Sequence, residues 1–524
     1  MKPSHWIVLV ALAYAESVAA GSDCYVAPFD CYPAADIRPD TPRNFADESR
    51  AYAQLAWQDF VALNFPAAMA ADGRPLAQPS KTRGLNAQGG SYTAVWEVYP
   101  EARDVFRPNA GMPEPFGSGH DIPAICVAAG LGARLPIFRR RRRELGTEPV
   151  LDEYIQADRM GPIIDQSGRY VRYGIHFNQS MFDYIVAHHL YSREGQARFD
   201  VQDTHHDRSP VQFPRGRYGA QIGSIFVKAA WKILDAQDDP STFYRVRAYI
   251  YDALGGAFHD EPTVASHCEV RMVGLVGFHI VHFTQSAPQG VWATFEHVNN
   301  APWLSDFRFG TPARYTFFDP ARCASVRGQP ACQYDALPAQ PWNPQRPDQP
   351  PTQLVRIAAP GAWAIEVNRA MKRVLQQYAG QTVWANYYLA DVQFPTAGTA
   401  GTVRTNPDGV VATPSFLANT TMETYIPGFD AHARTSNGDA VPASDQMTGI
   451  RLAPGPVNPW QPRVFNRAGG AERVTSSCIG CHLDAAMTTG ASGDFVFALD
   501  RAAQAGDPRS TSMQHLKQAG VAPR

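Results

Sequence analysis

The chain has 524 residues, which at roughly 100 to 200 residues per domain leaves room for two or three domains and a buried cofactor. Charged residues make up 18%, aromatics 11%, and the formal net charge is -2, so the excess of Lys and Arg that nucleic-acid binding needs is missing. No Walker loop, G-x-S-x-G elbow or dinucleotide fingerprint occurs, and NTP hydrolysis, serine-esterase chemistry and nicotinamide binding have no local support.

Residues 1–20 read as a secretory signal: Lys2 supplies the positive start, an apolar run follows from Trp6 to Ala15, and Val18, Ala19 and Ala20 form a small-residue cleavage pattern. The run is about half the roughly 20 apolar residues a membrane span requires, and no second such segment follows. The expectation is cleavage near Ala20 and a periplasmic or secreted protein without stable membrane insertion. In that oxidising setting Cys24, Cys31, Cys126, Cys268, Cys323 and Cys332 are expected in disulfides. Local loops from Cys24 to Cys31 and from Cys323 to Cys332 would leave Cys126 for Cys268, one of 15 possible connectivities.

In chain order, residues 44–63 predict a helix, with Asn44 as cap, Asp47 and Glu48 in the first turn, and Tyr52, Leu55, Ala56, Phe60 and Leu63 on one stripe before Pro66. Residues 170–177 alternate like a strand and 180–190 follow as a helix. Residues 222–234, 244–251 and 270–283 are rich in β-branched and aromatic side chains and read as sheet. Residues 360–380 give the clearest helix, opened by Pro360 and closed by Gly380, and 382–394 is a further strand. Six prolines in 338–351 and the Gly, Thr and Pro of 396–414 mark connectors. The pattern predicts an α+β fold: a mixed body over 21–438 with substantial antiparallel sheet, and a small, mostly helical segment over 439–524.

That last segment contains Cys478-Ile479-Gly480-Cys481-His482, the C-x-x-C-H spacing of covalent haem attachment. Two thiols one helical turn apart can each form a thioether with a porphyrin vinyl group, and the following imidazole lies beneath the iron. A redox dithiol would want a thioredoxin-like setting, and a zinc site a second ligand pair downstream, which is missing.

At these residues the sequence resembles the c-type cytochromes. The resemblance covers residues 439–524 and implies one covalent haem c held by Cys478 and Cys481, His482 as proximal iron ligand, and one-electron transfer in the periplasm. Small cytochromes of the family carry the motif near their start and a methionine ligand far downstream, whereas His482 lies close to the end of this chain, so the pocket is expected to borrow walls from the body. Residues 274–280, 292–297 and 418–424 also look like segments of large, functionally uncharacterised bacterial cytochrome-like proteins, which implies a shared architecture and no substrate.

A sixth ligand of Met or His favours electron transfer; an open position favours binding or activating a small molecule. Met422, Met447, Met513 and His515 are candidates, each with an alternative as a packed or surface residue; Met487 is expected on the helix of His482 and so on the proximal side. His279 and His282, with Glu296 and His297, suggest a second metal centre, but residues three apart in a strand face opposite ways, which favours hydrogen-bonded core histidines. The pairs His188-His189 and His205-His206 diverge similarly. Asn178 and Asn419 head glycosylation sequons of the kind that arise by chance. Five arginines, Arg139, Arg140, Arg141, Arg142 and Arg143, read as a solvated loop or as a docking patch for an acidic redox partner. A mono-haem electron-transfer protein is the leading expectation. A haem-dependent oxidoreductase with its substrate pocket in the large body, or a haem-based sensor, is the alternative.

Overall fold

The structure is a computed structural model and describes residues 30–42, 44–87, 91–107, 109–119, 126–127, 150–151, 162–202, 211–252, 267–303, 315–323, 325–326, 329–330, 334–335, 350–356, 360–378, 382–397, 410–413, 417–424, 464–466, 472–474, 478–482 and 485–505. The signal segment, the arginine run, His205, His206, most of 338–351 and the boundary near residue 439 lie outside the described residues.

Helix α1 (Phe45–Leu63) starts where the sequence places it, because the Asn44 side chain accepts the Asp47 N–H at 3.1 Å and the two acids of the first turn meet the positive end of the helix dipole. The remaining principal elements are β1 (Arg172–Phe177), α2 (Gln179–Ala187), α3 (Arg193–Gln202), β2 (Ile225–Ile233), β3 (Arg245–Asp252), β4 (His267–His282), β5 (Val291–His297), α4 (Ala362–Tyr378), β6 (Tyr387–Ala397), β7 (Val410–Thr413) and α5 (Cys478–His482). The fold is α+β, built on an eight-stranded sheet in which β7, β6, β5, β4, β2 and β1 lie side by side, each antiparallel to its neighbour. Val273 and Gly274 of β4 pair with β2 and β3 at once, so β3 lies on the edge of β4 opposite β2, beyond the end of β5, and Val150–Leu151 pairs with β3 in parallel.

Register assigns the two faces. Phe278 sits opposite Phe295, and on this face α1 drives Phe60 flat onto Phe295 at 4.1 Å and the edge of Trp57 against it at 5.0 Å. Each fully buried aromatic of this kind contributes about 1.5–3 kcal/mol. The intervening residues, Phe226, Val281 and Trp292, face the other way and pack with Phe177, Phe182, Phe213 and Phe283, and with Ile479, Met487, Phe495, Val496 and Leu499 of the C-terminal segment. That segment therefore shares a hydrophobic core with the body.

Strand β5 was not legible as an element because all seven of its residues are buried. Covered on both faces, Val-Trp-Ala-Thr-Phe-Glu-His has no reason to alternate apolar with polar. The reading of 396–414 as loop is corrected at both ends, where β6 runs on to Ala397 and pairs with Val410–Thr413. The described C-terminal segment mixes α5, a 3-10 turn (Phe497–Arg501) and a two-stranded ribbon of Val464–Asn466 with Glu472–Val474.

Cys126 and Cys268 form the expected long-range disulfide, spanning 142 residues, and a loop of that length removes about 5 kcal/mol of unfolded-chain entropy. Cys31 and Cys323 are also disulfide-bonded; Cys24 and Cys332 lie outside the described residues. Among the described residues no helix is long and apolar enough to cross a membrane.

Candidate functional site

The five residues of α5 lie on the second face of the sheet. Ile479 is buried, and its N–H donates to Gln393 Oε1 on β6 at 2.8 Å, which fixes the first turn of the helix. Cys478, one turn ahead of His482, has its Sγ 3.7 Å from the Leu417 carbonyl. Cys481 belongs to the same turn.

The His482 ring sits among aromatics, with ring centroids 4.5 Å from Trp292, 4.9 Å from Phe497 and 6.4 Å from Phe226. Its Nδ1 lies 2.8 Å from the Phe495 carbonyl oxygen, a partner that can only accept, so Nδ1 carries the proton and Nε2 the lone pair. Burial pushes the His482 pKa down to about 4, against the opposing pull of that hydrogen bond, so the ring is neutral near pH 7. A neutral imidazole with one nitrogen tied to a carbonyl is the state a metal-ligating histidine requires. Asp494 and Phe495 reach it through left-handed backbone, with φ of 50° and 67°.

Residues 417–424 wall one side of this region. Asn419, fully buried, donates from Nδ2 to Thr294 Oγ1 at 2.8 Å and to the Phe295 carbonyl at 3.0 Å, and accepts the Thr421 N–H at 2.8 Å and its hydroxyl at 2.7 Å. The Thr420 N–H donates to Glu296, whose carboxylate also accepts from Arg356 and Tyr388. Glu423 faces His279 with Oε1 and Nε2 2.8 Å apart, and its other oxygen accepts the Asn419 N–H. Burial would raise the Glu423 pKa, but the charge and hydrogen bond of His279 outweigh it and hold the carboxyl below its ordinary value. Glu423, Lys228 and His279 all act electrostatically on His482.

The suspected second metal centre dissolves in this geometry. His279 meets Glu423 on one face of β4, His282 meets Asp59 of α1 on the other at 2.9 Å, and His297 bonds the Thr242 carbonyl at 3.0 Å. Among the described residues no group of three or more His, Cys, Asp or Glu could hold a metal ion. Met422 is fully buried in an apolar cluster with Tyr173, Val276 and Leu354. Met447, Met513 and His515 lie outside the described residues. α5 ends at His482, so Met487 is not on its helix; it packs in the aromatic core beneath. His188 ends α2, where its backbone N–H caps the last carbonyls, and His189 bonds Tyr191. Asn178 is the buried cap of α2 and Asn419 is fully buried, so neither sequon presents its asparagine to solvent.

Sequence reasoning missed the walls of the site. Trp292 and Glu423 fell inside segments singled out for resemblance, yet nothing local marked them as neighbours of His482, and Phe226, Gln393 and Phe495 carried no signal.

No family model, curated protein or solved structure matches the chain. The functional reading rests on the residues themselves. Two thiol positions, a neutral imidazole with its proton already held by a carbonyl, and aromatic rings beside it fit a covalently attached haem.

Proposed function

We propose that the protein is an exported mono-haem c-type cytochrome that transfers single electrons in the periplasm. The observation that carries the reading is the state of His482: half-buried beside aromatic rings, neutral, and held at Nδ1 by the Phe495 carbonyl, four residues after Cys478. Cys478 and Cys481 would hold the haem and His482 its iron; such a group supplies a centre that gains and loses one electron. Trp292 and Phe226 pack beside the imidazole, and the Phe495 carbonyl holds its proton. Glu423 and His279 contribute a fixed polar environment on the side of residues 417–424. A redox partner protein would complete the exchange, with the arginine run at 139–143 as its docking patch.

Haem staining of the denatured full-length protein tests the attachment: the native chain stains, and Cys478→Ala with Cys481→Ala does not. The visible spectrum tests the role. Low-spin iron indifferent to carbon monoxide supports electron transfer. High-spin iron that binds carbon monoxide at once would overturn it in favour of an oxidoreductase or sensor.

A further inference from the structure

The turn that offers its carbonyl to His482 is strained. Asp494 and Phe495 both adopt left-handed backbone, which costs an L-residue about 1–2 kcal/mol each, and two in succession persist only where surrounding contacts impose them. The imposing contact is an ion pair. Asp494 accepts from Arg215 through both oxygens, Oδ2 at 2.6 Å from Nη1 and Oδ1 at 2.8 Å from Nη2, and Oδ2 also accepts the Phe213 N–H at 2.8 Å. Arg215 further donates to the Pro288 and Phe213 carbonyls and lies over the Phe283 ring. One guanidinium thus ties three distant pieces of chain around a carboxylate that is 4% exposed. With the carboxylate buried and the Arg215 side chain 22% exposed, the pair adds little net stability, but its two parallel bonds define position and angle.

We propose that Arg215 and Asp494 are positioning residues that clamp the Phe495 carbonyl onto His482 Nδ1 and so set how strongly the imidazole donates to a bound iron. The inference rests on the haem reading for its consequence, though not for its geometry. A firmly held N–H···O=C bond increases electron density on the ring, which favours ferric over ferrous iron. Loosening it raises the reduction potential.

Asp494→Asn and Arg215→Lys each break the two-point clamp with little change in size. Lys232→Met, which breaks the separate ion pair with Asp238, controls for loss of a buried charge pair. In full-length protein carrying Cys478→Ala and Cys481→Ala, and so free of haem, nitrogen NMR shifts report the His482 tautomer. It should be Nδ1–H in that background and a mixture of tautomers in both clamp variants. In the haem-bearing chain the ferric preference should fall about tenfold, the lower end of what losing such a supporting contact costs, which for one electron is about +59 mV. Clamp variants that keep native circular dichroism but leave tautomer and potential equal to those of Lys232→Met would overturn the proposal. Arg215→Lys, which retains the charge, serves if Asp494→Asn does not fold. A tautomer shift in a protein that never stains for haem would support the clamp and sink the haem reading, so the two fail separately.

Discussion

Replacing Asn419 with alanine should be among the most damaging single changes outside the aromatic core. The side chain is fully buried and makes four hydrogen bonds, two to β5 and two to Thr421. The Thr294 and Thr421 hydroxyls can turn to new partners, at a cost of about 1 kcal/mol for each bond lost, and the Phe295 carbonyl loses a similar amount. The Thr421 N–H cannot turn, and a buried donor left unpaired costs about 1–3 kcal/mol. The sum is about 4–6 kcal/mol, a large share of the roughly 5–15 kcal/mol that holds a typical domain folded. Urea unfolding at unchanged slope measures it, with Thr420→Ala as the comparison, since the Thr420 contact to Glu296 is made by its backbone and survives. Because the Leu417 carbonyl adjoins Cys478 Sγ, the proposed haem attachment predicts that haem content per chain falls in parallel. An Asn419→Ala protein within 1 kcal/mol of Thr420→Ala would refute the idea that residues 417–424 are clamped to the sheet.

Gly277 lies on the same face, and a β-carbon there would come 2.2 Å from Thr421 Oγ1 and 3.0 Å from Asn419 Oδ1. Gly277→Ala should therefore lower stability by about 1–3 kcal/mol through overpacking, and adding Thr421→Ala should recover part of that loss in thermal melts. Strictly additive effects would disprove the contact. Asp391 offers a pH test: burial raises its pKa to about 6, although the Val392 and Gly361 N–H groups it accepts from favour the charged form. Between about pH 4 and pH 6 the folded state thus holds a proton that the unfolded chain has lost. Stability should fall with rising pH across that window, by at most about 1.4 kcal/mol per unit. Asp391→Asn should flatten this part of the profile in urea midpoints taken from pH 4 to pH 6.5, and an unchanged slope would count against it.

Much of the architecture is written locally. Asn44 with Asp47 and Glu48 starts α1, the apolar stripe from Ile365 to Tyr378 makes α4, and the dense β-branched run before His282 makes β4, because caps, helical period and strand propensity act between near neighbours. The C-x-x-C-H spacing is local in the same sense. Its meaning as chemistry needs only the reach of one helical turn, whereas counting cysteines leaves Cys126 with Cys268 as one of 15 connectivities, which the fold selects. What the sequence alone could not determine is everything that meets across the sheet. Trp292 and Phe226 touch His482 because β5 and β2 flank β4 in a particular register, and a shift of one residue would have turned both rings to the α1 face. Likewise Arg215 reaches Asp494 across 279 residues of chain, a pairing that no local pattern encodes. The motif names the groups able to hold a cofactor; the tertiary packing decides which proton His482 keeps, what holds it there, and how closed its surroundings are.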